Sequence, residues 1–73
     1  MSQKYELQRS VHPGKWVCTD IVNKIVVVFD EHKFNDTQEI TFIDGEPQDV
    51  MKIARMLREM ADWLGENYYN IIF

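Results

Sequence analysis

Hydrophobic and polar positions along this chain read as short strands, alternating or continuously apolar, for the first forty or so residues and then switch to a helical period. From Lys4 to Arg9, Tyr5 and Leu7 alternate with Lys4, Glu6 and Gln8, as in a strand with one face turned to a core. Val11-His12-Pro13-Gly14 interrupts the alternation. Proline presets φ at the second position of a turn and glycine accepts positive φ at the third, so a type II turn is expected. Trp16 to Val22 resumes as a strand rich in aromatic and β-branched residues, and Asn23-Lys24 reads as a two-residue connection to the next. Lys24 to Asp30, KIVVVFD, is apolar throughout its middle, which marks a central strand buried on both faces, or on one face plus an interface. If a helix covers one face, either Val26 and Val28 or Ile25, Val27 and Phe29 are left for a second layer, which a partner chain can supply. Glu31 to Thr37 is polar, with Asn35-Asp36 as its turn, and Gln38 to Ile43 alternates once more.

The helical segment runs from Pro47 to Leu64. Val50, Ile53, Ala54, Leu57, Met60, Ala61 and Leu64 recur at three- and four-residue intervals and form one apolar stripe. Proline suits the first helical position, Glu46 and Asp49 complement the positive end of the dipole, and Gly65 reads as the stop. After it, Glu66 to Phe73, ENYYNIIF, is apolar enough to form one more strand, on its own sheet or on a neighbour's edge. The expected fold is α+β: an antiparallel sheet of three to four strands followed by one long amphipathic helix on one face, a single domain over residues 1–73.

Composition narrows the class. Seventy-three residues lie near the lower limit for a self-sufficient core, which favours self-association as a source of stability. A single cysteine, Cys18, leaves no internal disulfide and suits a reducing compartment. MSQKYELQRS lacks the apolar centre of a secretion signal, and Ile25 to Phe29 is too short to span a bilayer, so a cytoplasmic protein is expected. The net charge is −4 and unevenly spread. Lys4, Arg9, Lys15 and Lys24 against Glu6 and Asp20 give the first 24 residues +2, whereas four cations against ten carboxylates give the remainder −6. Such a balance disfavours a surface that grips duplex DNA through its phosphates and suits a basic protein partner.

Candidate chemistry is sparse. Cys18 lies in an alternating strand with no motif linking it to His12 or His32, which describes a structural cysteine better than an activated nucleophile. Of Asp30, Glu31 and His32, only the first and last project from one face of a strand, too few for a metal site. Asp44, Glu46 and Asp49 read as a turn and a helix start, and Gly14, Gly45 and Gly65 are too scattered for a phosphate loop. A non-enzymatic protein without metal or cofactor is expected.

The helix carries the sharper clue. With Leu57 at the centre of the stripe and about 100° per residue, Met56 and Trp63 fall on its flank and make the apolar surface wider than one sheet contact requires. Met56, Met60 and Trp63, with Tyr68, Tyr69 and Phe73 of the tail, are the candidate dimer or partner contacts, against the plainer alternative that they widen the core. Lys52, Arg55, Glu59 and Asp62 mark the solvated face, with Arg55–Glu59 and Arg58–Asp62 spaced for ion pairs. Tyr5 and Trp16, interleaved with Lys4, Arg9, Lys15 and Lys24, suggest a stacking platform with basic flanks for single-stranded nucleic acid. WVCTDIVNKIVVVFD followed by QEITFIDGEPQDV is similar in layout to single-strand-binding domains of the positive cofactor 4 type, in which a curved four-stranded sheet precedes one dimerising helix. That resemblance spans Lys15 to Leu64 and implies nucleic-acid binding by the sheet. The charge distribution favours the other class, a homodimeric protein-binding regulator or inhibitor of the kind made by phages or as a bacterial accessory protein.

Overall fold

The strands fall close to where the apolar pattern puts them. The computed structural model describes residues 4–72. In it β1 (Tyr5–Arg9), β2 (Lys15–Asp20), β3 (Ile25–Asp30) and β4 (Glu39–Phe42) form one antiparallel sheet in chain order, followed by the long helix α1 (Val50–Asn67) and a short helix α2 (Tyr69–Ile72). The pairing register sets three rows across the helix-covered face: Tyr5, Asp20, Ile25 and Phe42; Leu7, Cys18, Val27 and Ile40; and Arg9, Trp16 and Phe29. Cys18, Ile25, Val27 and Phe29 are fully buried there beneath Met56, Met60 and Leu64 of α1.

The β1–β2 connection is the expected type II turn: Lys15 N–H donates to the His12 carbonyl at 3.3 Å and Gly14 sits at φ +80°. The β2–β3 connection differs. β2 ends at Asp20, and Ile21 to Val22 belong to a four-residue loop rather than to the strand. The buried Asp20 carboxylate accepts the Asn23 backbone N–H at 2.9 Å and its side-chain amide at 2.8 Å, offering the backbone an alternative to the ladder. Lys24 then takes φ 58° to re-enter β3.

The polar stretch before β4 holds a core residue. Phe34 is buried and meets Phe29 edge-on, with centroids 4.9 Å apart. Thr37 fixes this loop, accepting the Asp30 N–H at 2.8 Å and donating to the Lys33 carbonyl at 2.8 Å.

α1 begins three residues later than the proline suggests, because Asp49 caps it by accepting the Met51 N–H at 3.0 Å. It also runs through Gly65 to Asn67, ending where the Tyr68 N–H donates to the Leu64 carbonyl at 2.7 Å. Its buried stripe is Met56, Met60 and Leu64, with Ile53, Leu57, Ala61 and Trp63 half-buried, whereas Val50 is 74% exposed and Ala54 is exposed. Relative to a stripe centred on Leu57 this is a rotation of roughly 60°, which brings in the long side chains of Met56 and Trp63 in place of Val50 and Ala54. The spaced pairs Arg55–Glu59 and Arg58–Asp62 do not form: Glu59 binds Lys4 at 3.0 Å instead. The tail is a helical turn, not a fifth strand. Its backbone finds a partner in the β3–β4 loop, where the His32 N–H donates to the Ile71 carbonyl at 2.7 Å, and Ile72 is buried. Among the described residues no helix is long and apolar enough to cross a membrane.

Candidate partner-binding face

The second face of the sheet has none of the described elements over it. Its side chains alternate with those of the core: Glu6 and Gln8 on β1, Lys15, Val17 and Thr19 on β2, Val26, Val28 and Asp30 on β3, Glu39 and Thr41 on β4. Register aligns Gln8, Val17, Val28 and Glu39 in one row and Glu6, Thr19, Val26 and Thr41 in the next. The two central strands thus present a half-buried Val and Thr centre, and the two edge strands present carboxylates. At one end Lys15 and Asp30, directly opposite in register, form an ion pair at 2.8 Å that holds the Lys15 ammonium above its ordinary pKa. On β1, Gln8 Nε2 donates to Glu6 Oε1 at 2.9 Å. With Lys15 and Asp30 balancing each other, Glu6 and Glu39 leave the face acidic around an apolar middle.

The nucleic-acid candidates are not gathered on one surface. Tyr5, Arg9 and Trp16 project to the helix side. Tyr5 is only 5% exposed and lies against Trp63 with centroids 5.2 Å apart. Burial pushes its phenol pKa up, and its hydroxyl has no hydrogen-bond partner among the described residues. Arg9 covers the Trp16 ring at 4.5 Å from the centroid, and Trp16 Nε1 donates to Glu31 at 3.3 Å. Lys4 is tied to Glu59, a hydrogen bond that raises its pKa, and Lys24 of the β2–β3 loop lies 3.3 Å from Asp44 in the β4–α1 connection. Lys15 alone faces the open side.

The dimer candidates separate as well. Met56 and Met60 are buried within the chain's own core, so the protomer itself uses them. Trp63 is half-buried between Tyr5 and Tyr68, 5.2 and 5.4 Å away by centroid. Tyr68 and Tyr69 are exposed, and Phe73 lies outside the described residues. The Cys18 thiol is buried and pushed up to about 12, so it stays protonated and poorly nucleophilic near neutral pH. Asp30 is occupied by Lys15, and His32 lies 4.0 Å from Glu31.

Val17, Thr19, Glu6 and Glu39 were readable as a face only once the register was known, because alternation gives each strand two faces but not which rows align. No protein-family model, curated protein or solved structure matches the chain.

Proposed function

We propose that this chain is a small, non-enzymatic binding module of the cytoplasm that acts as a homodimer and regulates or inhibits a protein partner. The observation that carries this reading is the uncovered sheet face, with its Val17, Val26 and Val28 centre between the edge carboxylates Glu6 and Glu39. An apolar patch rimmed by one sign of charge favours a partner with an apolar spot set in a basic surface, where carboxylates steer the approach and the valines supply desolvation. The unpaired Cys18 suits a reducing compartment.

Between protein and single-stranded nucleic acid, the side-chain placement supports protein, since the aromatics of the stacking idea are held against the helix and the cations are engaged with carboxylates or rings. The test uses the immobilised chain as bait in a lysate of its native host. A protein retained by the wild type and lost with both Val17→Ser/Val28→Ser and Glu6→Lys/Glu39→Lys, at unchanged circular dichroism, is the expected result; equal recovery with all three baits removes this face. A labelled single-stranded oligonucleotide should show no anisotropy change, and salt-sensitive binding near physiological ionic strength would instead favour the nucleic-acid reading.

A further inference from the structure

Opposite the buried stripe of α1, along one flank, the helix is left without a partner, and its charges are sorted by sequence. Lys52, Arg55 and Arg58 occupy the first half, and Glu59, Asp62 and Glu66 the second. Beyond the Asp49 cap this order opposes the helix macrodipole, which favours anions near the start and cations near the end; the first turn holds no acid and the last no base. Among the described residues only Glu59 of these is compensated, by Lys4. The side chains of Arg55, Arg58, Asp62 and Glu66 have no hydrogen bond or ion pair among the described residues. The same flank is concave. Leu57, Ala61, Ala54, Arg58 and Asp62 face Asn35 and Gln38 across an open groove of about 430 Å³. A smaller hollow of about 240 Å³ continues it past Arg55 to Met51, which is 73% exposed.

A helix whose two halves carry opposite charge is self-complementary when a second one runs antiparallel to it. The geometry points to a second copy of this chain as the occupant: α1 packs against α1 of the copy about a twofold axis, with Arg58 facing Asp62 of the second copy and Asp62 facing Arg58 of the second copy. The same register sets Arg55 beside Glu66 of the second copy and leaves Met51, 73% exposed, at the end of the contact. Each pair occurs twice by symmetry, and antiparallel dipoles replace the unfavourable end charges with favourable ones. Ala54, exposed at the edge of this face, lets the two backbones approach. This inference rests on the homodimer in the proposed function but moves its contact to the flank away from Met56, Met60 and Trp63. It leaves the open sheet face of each copy free.

The experiment is sedimentation velocity on the full chain across micromolar concentrations, with circular dichroism as a check of folding. The wild type sediments as a dimer whose dissociation constant rises with salt. Arg58→Asp and Asp62→Arg each weaken it by roughly tenfold or more, because each change puts like charges opposite twice. The double swap Arg58→Asp/Asp62→Arg restores it, as does an equimolar mixture of the two single variants. Met51→Lys, at a position whose exposure spares the fold, also loosens the dimer. A dimer indifferent to these changes, or one that the double swap fails to restore, overturns the α1 contact and leaves dimerisation elsewhere. A monomeric wild type overturns both this contact and the homodimer, whereas binding through the open face is decided separately by the bait experiment.

Discussion

The two faces of the sheet are built from the same strands and, on β3, from nearly the same residues. Ile25, Val27 and Phe29 on one side are at most 1% exposed, while Val26 and Val28 on the other are half-buried. Composition does not separate them. What does is a single helix lying over one face, so dryness here is a property of the layer above a side chain rather than of the side chain. The contrast also separates stability from recognition: residues under α1 hold the fold, and residues on the open side are available to something else.

The largest expected effect lies under the helix. Phe29→Ala removes a fully buried ring that also meets Phe34, and should cost about 3–5 kcal/mol in urea denaturation, comparable to much of the stability of a small domain. A loss below about 1 kcal/mol would mean that the two faces are energetically alike. An intermediate effect comes from Cys18 on the same face. Its thiol is pushed from 9.0 to about 12 in the fold, so between these values the unfolded chain releases a proton that the folded chain keeps. Stability therefore falls as pH rises through that window, at up to about 1.4 kcal/mol per pH unit, and burial of the Tyr5 phenol adds a slope of the same sign. Denaturation midpoints at about pH 8 and about pH 10 should diverge less in Cys18→Ala than in the wild type, and equal divergence would place the thiol in water. The smallest effect belongs to the open side: Val28→Thr keeps the β-branch and should change stability by less than about 1 kcal/mol, while a larger loss would reveal a covering layer in solution.

Much of the fold was legible because the strands are local. Alternation, and for β3 a continuous apolar run, found all four, and Pro13-Gly14 found the turn. The departures share one cause, a distant or side-chain partner that outbids the local pattern. Ile21 and Val22 have strand character but are turned into a loop by the Asp20 carboxylate. Gly65 has the look of a stop, yet the helix finds its end at Tyr68. Phe34 sits among polar residues and is core because Phe29 lies beneath it. The stripe of α1 is rotated because Tyr5 offers Trp63 a ring to lie against, a contact between the first and last thirds of the chain. Of the candidate surface, the valines of β3 were visible from the sequence; their neighbours Val17 and Glu39 needed the register.

The bond between the His32 amide and the Ile71 carbonyl has a consequence for the order of assembly. Every strand pairs with its neighbour in the chain, so the sheet zips up from short loops whose closure costs little entropy. His32 has positive φ, and its N–H points to a partner that is almost the last residue described. During synthesis the Thr37 bonds of the loop that carries Phe34 can form early, whereas its His32 bond waits until Ile71 has been made. The meander is ready early, and its β3–β4 corner gains its last backbone bond only when α2 docks.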